Sequence, residues 1–146
     1  MPRIDNAIDI SAPREKVFAY VADVERQPEW VKWAKTVEMT AGATGVGATD
    51  TMMMQVGPKK DRVEGIITEF RDGQMVSRRL TKGMEWFERL SLVSTVEGTK
   101  VAFSVEYKPP MGPLGQAIDF LFMVRLLDQL MKDSLTNLKE NIEQAS

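Results

Sequence analysis

The last quarter of the chain constrains the fold most. Pro109, Pro110, Gly112, Pro113 and Gly115 punctuate a break, and a helical pattern then runs from Gln116 to about Glu143. Eight of the ten residues from Ile118 to Leu127 are apolar, with only Asp119 and Arg125 between them. A surface helix is apolar along one stripe and polar elsewhere, so this first half must be covered on most sides by protein, ligand or membrane. Phe120, Val124, Leu127, Met131, Leu135, Leu138 and Ile142 follow each other at steps of three and four residues and form a single stripe. From about Asp128, with Lys132, Asp133, Lys139 and Glu140 outside, the helix reads as ordinarily amphipathic.

Everything upstream is read as what covers that helix. Arg3 to Ile10 alternates and predicts a first strand. Ser11 before Pro13, Arg14 and Glu15 reads as a helix opening, with a hydroxyl to accept an orphan amide, and it starts a short helix from Pro13 to about Ala22. Asp23 is placed to cap a second short helix, and Pro28 keeps the stretch to Trp33 compact and irregular. The period then changes to strands over 36–40, 49–56, 62–71, 74–81, 84–96 and 99–108, separated by turn signals of which Glu97-Gly98 is the tightest. Strands joined by short turns pair antiparallel, and a sheet with one apolar face needs one large partner. An α+β architecture follows: a curved antiparallel sheet of about seven strands wrapped round a long C-terminal helix, with two short helices between strands 1 and 2.

Composition narrows the chemistry. With no cysteine and no histidine, thiol nucleophiles, disulfides, imidazole bases and the usual zinc, copper and haem ligands are excluded together. Glu25 and Glu29 lie one helical turn apart without further ligands, so no metal site is expected, and nothing implies a cofactor. The net charge is −2 with both signs scattered, which leaves no basic field for nucleic acid; Lys59-Lys60 and Arg78-Arg79 are too short and isolated to make one. Gly42, Gly45 and Gly47 lie between strands and do not open a helix, so they are turn glycines and not a phosphate loop. The length suits one domain, 1–146, burying on the order of 70% of its extended-chain surface. The start lacks the apolar core of a signal peptide, and no charge-free run approaches the ~18 residues of a bilayer span, so a cytoplasmic protein without an integral membrane segment is expected.

The run Ile10-Ser11-Ala12-Pro13-Arg14-Glu15-Lys16-Val17-Phe18-Ala19-Tyr20-Val21-Ala22-Asp23, closing on Pro28-Glu29-Trp30, resembles the N-terminal signature of the START-like helix-grip superfamily (SRPBCC). Its polyketide cyclase/dehydrase-like branch is the nearest match: Gly45-Val46-Gly47-Ala48-Thr49 resembles that branch's second turn, and Pro110-Met111-Gly112-Pro113-Leu114-Gly115 with the helix through Glu143 resembles its C-terminal end. The resemblance implies the helix-grip fold and a cavity between the concave sheet and the long helix, and it allows a homodimer. It does not fix a function, because this fold hosts carriers, cyclases and interaction domains.

Candidate site residues follow from the faces. Along the helix, Phe120, Val124, Leu127 and Met131 would line such a cavity. The internal methionines suit a pliable apolar wall, and on the strand 49–56 we expect Met53 inward with Gln55 as a polar contact. Trp86, Phe103 and Tyr107 are the aromatic candidates, while Trp30 would pin the second short helix to the sheet. If Trp86 points inward so does Glu88, whose carboxylate then needs a partner, and Arg79 on the preceding strand is placed to supply it. These two are the acid/base candidates. Three functions fit: binding or transport of a hydrophobic small molecule such as a lipid, isoprenoid or polyketide; a polyketide cyclase or dehydratase; or a membrane-peripheral or protein-interaction module using the apolar half of the helix.

Overall fold

The structure, a computed structural model, describes residues 2–42, 44–108 and 116–145, and for 116–120 the backbone. The expected break over Pro109 to Gly115 lies outside these residues. Strand β1 (Arg3–Ile10) is followed by helix α1 (Arg14–Val21) and a 3₁₀ helix (Val24–Glu29). Strands β2 (Ala34–Ala41), β3 (Thr49–Val56), β4 (Lys59–Arg71), β5 (Met75–Lys82), β6 (Trp86–Thr95) and β7 (Gly98–Tyr107) then form a meander, and α2 (Gln116–Gln144) ends the fold. The sheet has seven strands in the order β1-β7-β6-β5-β4-β3-β2, and every pair is antiparallel. β1 and β2 are its two edges, so the short helices carry the chain across the sheet from one edge to the other. This is the curved sheet gripping a long helix that the residue pattern predicts.

Parity decides what the sheet buries. On β7 Val101, Phe103, Val105 and Tyr107 are buried, and Ala102, Ser104 and Glu106 are not. Leu127, Met131, Leu135, Leu138 and Ile142 of α2 are buried against that face and give one continuous core with the aromatic side chains of the sheet. Burial of these apolar side chains, at about 1.5–3 kcal/mol each, is the main force holding helix to sheet.

Several boundaries move for local reasons. Val56 pairs with Lys59, so Gly57-Pro58 alone make the turn and β4 starts three residues before the expected Arg62. Thr95 pairs with Gly98, which makes Val96-Glu97 the turn in place of Glu97-Gly98. Gly98 serves packing instead: a Cβ there would run into the Ile10 carbonyl oxygen and lie 2.9 Å from the Ala12 amide nitrogen. Thr99 Oγ1 next to it donates to the Ala12 carbonyl at 2.8 Å, which docks the entry to α1 on the β6–β7 hairpin. The two expected side-chain caps are not made. Pro13 is the cap residue of α1, and Ser11 instead donates its backbone N–H to Glu143 Oε2 at 2.9 Å; Asp23 holds the cap position of the 3₁₀ helix without a side-chain bond.

The second half of α2 is fastened by polar contacts. Asn6 Nδ2 donates to Asp128 Oδ1 (2.9 Å), the Lys32 amide to Ser134 Oγ (2.8 Å), and Lys139 Nζ to the Asp9 carbonyl (2.7 Å). Asn141 Nδ2 donates both to the Tyr20 hydroxyl (3.1 Å) and to the Glu29 carbonyl (3.0 Å). Among the described residues, the hydrogen bonds from α2 side chains to the rest of the protein all begin at Asp128 or later.

Candidate functional site

Glu88 lies on the inward face of β6 between Trp86 and Leu90, and only 2% of it is exposed. A buried carboxylate needs donors, and three elements supply them. Trp86 Nε1 (3.0 Å) and Arg78 Nη1 (3.2 Å) donate to Oε1, and Gln27 Nε2 of the 3₁₀ helix donates to Oε2 (3.3 Å). The same guanidinium grips a second buried carboxylate as a fork: Nη2 donates to Asp50 Oδ1 at 2.6 Å and Nε to Oδ2 at 2.8 Å. Asp50 is on β3 and Arg78 on β5, so the side chain must cross β4 to make this pair. It crosses at Gly65, where a Cβ would sit 2.5–2.7 Å from the guanidinium atoms. Burial alone would lower the basicity of Arg78, but the hydrogen bonds to Asp50 and the charges of Glu88 and Asp50 outweigh it and raise the pKa. One cation thus serves two carboxylates in the interior.

Beside this network stands an aromatic cluster. Trp33 meets Trp86 edge-on at 5.2 Å between ring centroids and Phe103 at 5.6 Å, Trp30 lies 5.8 Å from Phe103, and Tyr107 lies 6.3 Å from Trp86. All five rings are buried. Among the described residues the indole nitrogens of Trp30 and Trp33, the Tyr107 hydroxyl and Gln27 Oε1 have no hydrogen-bond partner. Burial pushes the Tyr107 hydroxyl pKa up.

At the same end of the sheet a groove of about 660 Å³ opens between sheet and helix. Met54 and Val56 of β3, Met84 of the β5–β6 connection and Met123 of α2 supply its apolar wall, with Lys59, Asp61, Glu85 and Lys108 around the rim. Trp86 and Tyr107, directly paired, are the inward residues next to Glu85 and Lys108, so the aromatic cluster lies behind the groove.

The structure sorts the residues expected from sequence. Glu88 is inward with Trp86, and Phe103, Tyr107, Leu127 and Met131 are all in the closed core; Val124 is half-buried against it. Phe120 lies outside the described side chains. Met53 and Gln55 are corrected: the inward residues of β3 are Asp50, Met52, Met54 and Val56, so Met53 joins a surface groove beside Thr36, Thr51 and Arg62, and Gln55 bonds to the Gly57 carbonyl. Arg79 is corrected as well. It is exposed on the outer face, and its neighbour Arg78, opposite Glu88 in register, is the partner. Asp50, Arg78 and Gln27 were not expected. A signal existed for Arg78, which shares parity with Val76 and Leu80, and for Asp50, which shares parity with Met52 and Met54.

The sheet order, the gripped helix and the interior site define a helix-grip protein. The chain belongs to the polyketide cyclase / dehydrase and lipid transport family, which it matches over residues 1–143. No curated protein matches it. Among solved structures it is similar to TTHA0849 from Thermus thermophilus (20% identity, 99% of each chain covered, TM-score 0.86). It is also similar to the Zhui aromatase/cyclase from a Streptomyces species (10% identity, 98% of this chain and 94% of that one, TM-score 0.83). A START superfamily protein from Mycobacterium smegmatis is a third (16% identity, 99% of each chain, TM-score 0.75). At these identities the likeness is one of fold.

Proposed function

We propose that the protein binds a hydrophobic small molecule of the lipid, isoprenoid or polyketide-like class, its apolar part in the groove between β3 and Met123. The observation that carries this reading is the groove itself, about 660 Å³ with four flexible or branched apolar side chains in its wall and unpartnered polar atoms of Tyr107 and Trp33 behind it. Ligand sites typically enclose about 300–1,000 Å³ and combine an apolar lining with a few polar groups. Thioether walls repack around ligands of different shape. In this reading Trp86, Phe103, Tyr107, Val124, Leu127 and Met131 are the packed core behind the groove, which the apolar end of the ligand would meet. The family's description, which includes lipid transport, agrees with it.

Native mass spectrometry of gently purified protein, followed by uptake from a panel of fatty acids, isoprenoids and polyketides, tests the proposal. Val56→Trp and Met123→Trp should each lower uptake at least tenfold while circular dichroism stays unchanged. No bound species and no uptake, or full uptake in both variants, refutes it. A cyclase or dehydratase is the second reading, favoured by the buried carboxylate of Glu88. It requires Glu88→Gln to abolish turnover while binding persists.

A further inference from the structure

The strongest feature outside the groove is the surface that surrounds its mouth. Leu121 and Phe122, on the first described side chains of α2, are 57% and 65% exposed. Arg125, also exposed, lies one turn further along the helix. Met123 follows the apolar pair directly, and Leu126 stands one turn beyond Phe122. Met123 lines the mouth, and Leu126 Cδ2 would lie 3.3 Å from a Cβ on Gly57, at the tip of the β3–β4 hairpin. The apolar pair therefore stands at the same end of the molecule as that hairpin, the β5–β6 connection and the end of β7.

Those elements are rich in cations. Lys59, Lys60, Arg62, Lys82, Lys108 and Arg125 are all exposed there, against the carboxylates of Asp61, Glu64 and Glu85. Lys59 and Lys82 each reach a carboxylate at 3.7 Å, while Lys60, Arg62, Lys108 and Arg125 make no ion pair with a described residue. The whole chain carries a net charge of −2, so the excess of positive charge at this end runs against the rest of the molecule.

We propose that this end docks on an anionic lipid bilayer, with Leu121 and Phe122 entering the interface and the basic residues meeting the headgroups. The charge pattern selects the occupant. Long, exposed cations around two projecting apolar side chains suit a fluid anionic surface, where attraction accumulates residue by residue and apolar groups settle at the acyl boundary. A stable protein partner needs a broad complementary face of about 800 Å² on each side, and two side chains on a convex helix do not present one. Among the described residues no helix is long and apolar enough to cross a membrane, so the contact is peripheral. Docked in this way, the groove opens toward the bilayer.

Vesicle binding is independent of the small-molecule reading, because neither Phe122 nor Lys60 lines the groove. The full chain is sedimented with vesicles of phosphatidylcholine alone and with an equal mixture of phosphatidylcholine and phosphatidylserine. Binding to the mixed vesicles is expected to exceed that to neutral ones at least tenfold, to collapse at high salt, and to fall about tenfold in Phe122→Asp and in Lys60→Glu. Uptake of a soluble fatty-acid probe should be unchanged in both variants. Absence of binding to mixed vesicles overturns the proposal, as does equal binding to neutral ones or indifference to Phe122→Asp. A dimer that Phe122→Asp dissociates, without vesicle binding, assigns the face to a second copy and overturns it too. Failure of uptake with vesicle binding intact removes only the ligand reading.

Discussion

Gly65→Ala isolates the buried charge network with one added methyl group. The new Cβ would stand 2.5, 2.6 and 2.7 Å from Nη2, Cζ and Nε of Arg78. Non-bonded carbon and nitrogen atoms settle near 3.5 Å, so the guanidinium must withdraw by about 1 Å. Its bonds to Asp50, now 2.6 and 2.8 Å, would then stretch beyond about 3.5 Å and cease to be hydrogen bonds. Breaking a buried pair costs about 3–5 kcal/mol, and removing glycine from a strand returns about 0.5–1 kcal/mol. The expected loss is therefore about 2–4.5 kcal/mol, a large part of the total stability of roughly 5–15 kcal/mol of an ordinary domain. Urea unfolding followed by far-ultraviolet circular dichroism measures it. The decisive comparison repeats Gly65→Ala in a background of Asp50→Asn, Arg78→Met and Glu88→Gln, where no guanidinium crosses β4. The alanine should there be nearly neutral, within about 0.5 kcal/mol, the remainder being the coupling energy of the double cycle. A loss below about 1 kcal/mol in the unaltered chain, or an equal loss in both backgrounds, refutes the assignment of Gly65 as the crossing point.

Two further outcomes follow from the polar contacts of α2. The side-chain amide of Asn6, and then Lys132, hold the Asp128 carboxyl below its ordinary pKa; because the folded value is the lower one, the contribution is present above the unfolded-state value and is lost as pH falls through the folded one. Carbon-detected NMR titration should show the Asp128 midpoint rising in Asn6→Ala, with a milder acid limb in the stability profile; an unchanged midpoint refutes the role of Asn6. Asn141→Ala removes both bonds to Tyr20 and Glu29 and should cost about 1–2 kcal/mol at the usual ~1 kcal/mol per bond, with faster amide exchange in the last turns of α2. Unchanged exchange there counts against that anchor.

The fold was legible because period and turn residues each speak for one element at a time. Val101, Phe103, Val105 and Tyr107 alternate without ambiguity, and a meander followed by one apolar helix leaves few ways to bury both. The face of β3 was not legible in the same way. In Thr51 to Val56 both parities hold methionine, and only the charged residue one step earlier, Asp50, marks the inward set. Intuition places a carboxylate outside, so the marker points the wrong way unless its partner is known. That partner, Arg78, sits on β5 and is reached across β4, a contact that depends on strand order and on the bare backbone at Gly65. Arg79 and Arg78 differ by one position, and in a strand one position changes the face. Ser11 and Asp23, whose side chains make no cap bond, show the complementary limit: the sequence marks where a helix begins, while tertiary contacts such as that between the Ser11 amide and Glu143 decide which atoms bond.

The uneven fastening of α2 makes the helix a cantilever. Among the described side chains, its far half is bolted to β1, α1, the 3₁₀ helix and Lys32 through Asp128, Ser134, Lys139 and Asn141, whereas around the mouth packing at Met123 and Leu126 holds it. Lifting the near end by a turn would break no side-chain hydrogen bond among the described residues and would leave the buried stripe from Leu127 onward in place. Local opening and global unfolding therefore draw on different sets of interactions and have separate free energies. A substitution that strengthens the far clamp can raise the melting temperature without slowing local amide exchange at the near end, and one at Met123 or Leu126 can change that exchange without moving the melting temperature.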